Sequence, residues 1–153
     1  MRLKGLVVIL LTAGVMEAHH SIAAEFDTSK SVAVKGTVCS AEFSNPHSHL
    51  FVNVKADNGK AETWIIELSG TAQLKAAGVI VKDVFNTGDP IQIEAYPART
   101  LAIPDAEATL FVGGCPTFLA NVIRKGHAKE LTLANGKQIR FDDANLAVTV
   151  VRQ

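Results

Sequence analysis

The stretch that most restricts this chain is His47-Ser-His-Leu-Phe-Val-Asn-Val54, preceded by Asn45-Pro46. Its side chains alternate. Ser48, Leu50, Val52 and Val54 fall on one side, and His47, His49, Phe51 and Asn53 on the other, the two-residue period of a strand with one face on a core. Pro46 has no N–H to give to a ladder and stands best at, or just before, the first residue of a strand. His47 therefore opens the strand. Two residues apart on one face, His47 and His49 are about 6.7 Å from each other, near enough for both imidazoles to reach one ion.

The next segment sets the register. Lys55-Ala-Asp-Asn-Gly-Lys60 is a hairpin turn by composition. A two-residue Asn58-Gly59 turn would pair Leu50 with Glu67 and mix apolar with charged positions. A three-residue loop, Asp57-Asn58-Gly59 with Gly59 left-handed, pairs Val52 with Trp64 and Leu50 with Ile66. This second register buries Trp64, Ile66 and Leu68 together and is the one expected. It sets Glu67 opposite His49 on the outer face, so a carboxylate is expected beside the two histidines.

The rest of the chain supplies partners for this hairpin. Ser31 to Val38 alternates with Val32, Val34 and Val38 toward the core, Gly36 allows a bend or bulge, and Cys39 falls on the opposite face. Thr71 to Ala77 is a short helix stopped by Gly78, with Ser69 or Thr71 placed to cap it. Asn86 to Asp89 turns into a fourth strand, Pro90 to Tyr96. A fifth, around Lys129 to Leu133, precedes a hairpin at Asn135-Gly136, a return strand Gln138 to Phe141 and a last strand Leu146 to Val151. A helix between the third and fourth strands is the order of the OB fold. The expected fold class is all-β: a small OB-like antiparallel barrel with one short helix between strands three and four, interrupted by an insertion at about 98–126 with one short strand, Ala108 to Val112.

Composition enters through destination. Arg2 and Lys4 precede an apolar run, Leu6 to Val15, that is too short to span a bilayer. Residues 1–18 read as a secretory signal, and 19–153 as a single domain, periplasmic or secreted. Cleavage after Ala18 leaves His19-His20-Ser21 at the mature start, although Ser21-Ile-Ala23 offers a competing small-residue site. Without Arg2, Lys4 and Glu17 the chain keeps 13 basic and 14 acidic residues, so no basic excess points to nucleic acid or to a membrane surface after cleavage. Met1 and Met16 both lie in the signal, which leaves no thioether for a cuprous ion. Cys39 and Cys115 are an even pair in an oxidising compartment; joined, they close a long loop worth roughly 4–5 kcal/mol in the chain-entropy model.

The pieces His19-His-Ser-Ile-Ala-Ala-Glu-Phe-Asp27, Val34-Lys-Gly-Thr-Val38, Asn45-Pro-His47, Glu62-Thr-Trp64 and Gly88-Asp89, taken together and in this order, resemble a family of small exported bacterial proteins named only as a domain of unknown function. The resemblance runs over about residues 19–97 and returns weakly at Glu130 to Gly136. It implies export, cleavage before His19 and a small β-barrel; it implies no activity. The insertion carrying Cys115 departs from the shorter family pattern.

His47 and His49 are candidate metal ligands, since neutral imidazole suits copper, zinc or nickel; the plainer account is two solvated histidines at a strand end. His19 and His20 add a terminal amine and two imidazoles, a set that favours Cu(II), with zinc second. Glu67 would ligate or orient an imidazole. Glu25 and Asp27 are expected to be solvated, and His127 to be exposed without a partner. Phe51 and Asn53 offer a ligand face beside the histidines, whereas Trp64 belongs to the core. No Gly-x-Ser-x-Gly, phosphate-binding loop, Cys-x-x-Cys or haem-attachment motif is present, and no catalytic set can be named. The expectation is a periplasmic binding module for a transition metal. Its rivals are a metal-free binder of a peptide or saccharide on the face of the second and third strands, and a copper-dependent oxidoreductase.

Overall fold

In the computed structural model, residues 22–55, 61–100, 122–142 and 147–151 are described. A single helical turn, α1 (Ile22–Glu25), leads into β1 (Val32–Glu42), β2 (His47–Lys55) and β3 (Ala61–Ser69). Helices α2 (Thr71–Ala76) and α3 (Val81–Val84) follow, then β4 (Pro90–Pro97), β5 (Val122–Thr132), β6 (Gln138–Asp142) and β7 (Ala147–Val151).

The strands form one sheet in the order β3-β2-β1-β4-β5-β6-β7, and β3 also pairs with β5. Five strands therefore close on themselves, running β1-β2-β3-β5-β4 and back to β1, the OB arrangement. Closure relieves β3 of an open edge. Two details differ from the expectation. The closing β3–β5 pairing is parallel rather than antiparallel, because β5 reaches β3 only after a crossover. Two short helices, not one, separate β3 from β4.

The expected hairpin register holds: Leu50 faces Ile66, Val52 faces Trp64, and His49 faces Glu67. The turn itself, residues 56–60, lies outside the described residues. Inward positions of every barrel strand meet in one core that includes Val34, Val38, Leu50, Val52, Trp64, Ile66, Leu68, Ile93 and Leu131. Leu74 of α2 is fully buried in that core.

At Gly36 the backbone of β1 lies close against β2. A Cβ there would lie against the Asn53 carbonyl oxygen and 2.7 Å from Val52 Cγ1, so the site accepts glycine alone. The irregularity in β1 falls three residues later. Val38 pairs with Val52 but Ser40 pairs with Phe51, which makes Cys39 the extra residue of a β-bulge. A second irregularity, in the β4–β5 pairing, leaves Lys129 over between Glu94–Glu130 and Ala95–Ala128. Neither helix cap comes from Ser69. The residue before α2 is Gly70, and the Asn45 side chain supplies the acceptor, taking the Ala72 N–H at 3.1 Å. The Asn-Pro turn thus locks onto the start of α2, where a side chain at Gly70 would meet the Pro46 carbonyl at 2.5 Å.

β5 is longer than its sequence pattern indicated. Its first half, Val122 to Gly126, occupies part of the stretch read as insertion. Residues 101–121, with Cys115 and the strand expected at Ala108 to Val112, lie outside the described residues, as do residues 1–21.

Candidate functional site

Odd-numbered residues of β2, β3 and the first half of β5 point away from the core, so three adjacent strands share one outer face. β3 lies in its middle. At one end of this face stand His47 and His49 from β2, Glu67 from β3, and Lys125 and His127 from β5. At the other end Phe51, Ile65 and Ile123 pack with Cys39 into a second apolar cluster.

Glu67 is the hub. It faces His49 across β2 and His127 across β5, and it is buried, with 7% of its surface exposed, although it is outside the barrel. Its Oε1 meets His47 Nδ1 at 3.2 Å and His127 Nδ1 at 3.5 Å. Its Oε2 meets Lys125 Nζ at 3.4 Å and His49 Nε2 at 3.9 Å. Burial by itself pushes the Glu67 carboxyl up. The His127 imidazole beside it and the positive charge of Lys125 outweigh that and hold it down at about 2, against an ordinary 4.5. Glu67 is therefore ionised throughout the neutral range. For His49 burial dominates and lowers its pKa, despite the nearby Glu67 charge.

The N-terminal arm is fastened to this end of the face. Glu25 forms an ion pair with Lys125, which in turn reaches Glu67. Phe26, 1% exposed, packs its ring 5.4 Å from the His127 ring and 5.3 Å from Lys125 Nζ. Backbone hydrogen bonds hold the arm on both sides: Asp27 N donates to the Pro97 carbonyl at 2.8 Å, and Arg99 N to the Glu25 carbonyl at 3.0 Å. Asp27 itself pairs with Lys30 at 2.7 Å, and hydrogen bonds from Lys30 and Ser29 lower its carboxyl to about 2.

Of the residues singled out from the sequence, His47, His49 and Glu67 come together. His19, His20 and Cys115 lie outside the described residues. Glu25 is not merely solvated; it belongs to the ion-pair chain. Phe51 does not offer an open contact, since it is 1% exposed inside the outer apolar cluster, and Asn53 accepts a hydrogen bond from Thr63 Oγ1 at 3.3 Å. The largest correction is His127. Expected to be exposed, it is 3% exposed and joins the Glu67 cluster. Lys125 was not singled out either. Part of the signal was available: Ile123, Lys125 and His127 alternate with Arg124, Gly126 and Ala128 and so share one face, but nothing in that alternation names β3 as the partner.

Among the described residues, no three histidines, cysteines or carboxylates are arranged to hold one metal ion, and no helix is long and apolar enough to cross a membrane. Residues 7–103 match the model of a family of unknown function (DUF6152). No curated protein and no solved structure matches the chain.

Proposed function

We propose that this chain, which belongs to the DUF6152 family of unknown function, is an exported binding module that holds a transition-metal ion at the histidine end of the β2–β3–β5 face, Cu(II) before Zn(II). One observation carries this reading: the arm that precedes the barrel is anchored at the histidine cluster, through Glu25 to Lys125 and Phe26 to His127. α1 is one turn, about 5 Å long, and His20 stands two residues before Ile22. An extended chain covers that gap in about 7 Å, a short enough tether for a mature start at His19 to reach the histidine end of the face.

The ligand set is then the His19 amine with the imidazoles of His19 or His20, completed by His47 and His49. Such nitrogen-rich sets favour Cu(II), with zinc next. Glu67 orients rather than ligates in this reading, because both its oxygens already face protein donors. The metal-free rival has less support, since its apolar contact, Phe51, is covered.

The test is Cu(II) titration of protein beginning at His19, followed by calorimetry and visible absorption. Replacing His19 and His20 by Ala, or His47 and His49 by Ala, should weaken binding at least tenfold, while Lys82→Ala on exposed α3 should leave it unchanged. Binding no tighter than that of the denatured chain overturns the metal reading.

A further inference from the structure

Glu67 makes an unusual neighbour for His47. The His47 side chain is 43% exposed, yet its Nδ1 is fully buried and is directed at Glu67 Oε1, 3.2 Å away. The open edge of the ring is therefore the one carrying Nε2. An ionised carboxylate can only accept. A bare nitrogen lone pair held this close to it would be repelled, so the proton of the neutral ring belongs on Nδ1. The contact is short enough for a hydrogen bond but is not well aligned. His49 differs. Its nearer nitrogen, Nε2, stands 3.9 Å from the other carboxylate oxygen, beyond hydrogen-bond range.

We infer that Glu67 is a positioning residue that fixes His47 in its Nδ1–H form, so that His47 presents a free Nε2 lone pair at the open end of the face. Water alone favours the opposite form, with the proton on Nε2 and the lone pair buried against β3. Glu67 can impose the rarer form because it cannot turn away: Lys125 holds Oε2 from β5, and His127 shares Oε1. The result is a nitrogen base aimed outward before any ligand arrives, with its orienting carboxylate already in place 3.2 Å behind it. A carboxylate behind a ligating imidazole is the usual way to set the tautomer and raise ligand basicity.

What Nε2 binds rests on the metal reading above; the tautomer does not, and it is measured without metal. The experiment is a long-range proton–nitrogen correlation spectrum of 15N-labelled protein starting at His19, in chelator at pH 8, above the imidazole range. His47 should show the Nδ1–H pattern in the wild type. In Glu67→Ala it should revert to Nε2–H, and Cu(II) affinity should fall at least tenfold. Should Glu67→Ala fail to fold, Glu67→Met keeps the volume, removes the acceptor and is measured in its place. A wild-type His47 already in the Nε2–H form overturns the inference, as does an Nδ1–H pattern that survives loss of the carboxylate. If the tautomer changes as stated but copper binding is absent throughout, the metal reading fails and the positioning role stands.

Discussion

Glu67 and His127 are register partners across the parallel pairing that closes the barrel, with His127 Nδ1 3.5 Å from Glu67 Oε1. The pairing gives the carboxylate a second wall. From β2 come two half-open imidazoles, and from β5 a buried imidazole and an ammonium. A charged group on the outside of a small barrel is thereby kept dry and ionised together.

That arrangement makes stability depend on pH in a defined direction. The Glu67 carboxyl titrates at about 2 when folded, against 4.5 ordinarily. Its contribution is complete above pH 4.5 and disappears as pH falls toward 2, because there the unfolded chain takes up the proton first. The size is on the order of 3 kcal/mol. His49, lowered by burial, adds a loss of the same sign that starts near pH 6.5. Urea unfolding of metal-free protein should show a falling midpoint over both ranges, and Glu67→Gln should fall less steeply over the lower one, where Asp27 still contributes. Parallel curves for the two proteins would contradict this account of Glu67.

Phe26 fastens the arm. It is 1% exposed against His127 and Lys125, and truncating a buried phenylalanine costs about 3–5 kcal/mol. Phe26→Ala should lose stability on that scale and speed hydrogen exchange at the Asp27 and Arg99 amides, which bond across the arm. A loss under about 1 kcal/mol, below the usual range for such a truncation, would mean that the arm is not held there.

Gly36→Ala forces a Cβ against Asn53 O and Val52 Cγ1, a clash with backbone that a rotamer change cannot relieve. Overpacking of this kind costs typically 1–3 kcal/mol and occasionally more, so a loss of about 3 kcal/mol is expected. Gly78→Ala meets nothing within 4 Å but sits at φ 76°, and should cost only about 1 kcal/mol. Chemical denaturation of both variants checks the order; Gly78→Ala being the worse of the two would refute it.

Cys39 packs with Phe51, Ile65 and Ile123, and among the described residues no cysteine is a free thiol. A disulfide to Cys115 is the expected state of exported protein. Alkylation under denaturing conditions should label neither cysteine before reduction and both after it. Cys39→Ser should lower stability by roughly 4–5 kcal/mol if the chain-entropy model applies. Two labels without reductant would remove the bridge.

The local chemistry of the chain determined a good part of this. Period-two alternation and the choice between two hairpin registers were enough to face Leu50 with Ile66 and His49 with Glu67, because a one-residue slip would have turned every apolar side chain of the hairpin outward. The order of strands and helix was enough to indicate the closed barrel. Only the tertiary structure decided what lies on the far side of Glu67. β5 joins β3 through a parallel pairing between segments some 60 residues apart, and no periodicity within either segment records that meeting. Lys125 fell in the stretch read as insertion and His127 was expected to be exposed; crossing over to the third strand buried His127 and set Lys125 beside Glu67. Phe51 moved the opposite way in meaning, from an open ligand contact to a packed cluster, because residues distant in sequence cover the outer face at that end. The hairpin was a matter of neighbours along the chain, and the site a matter of which strands closure brings side by side.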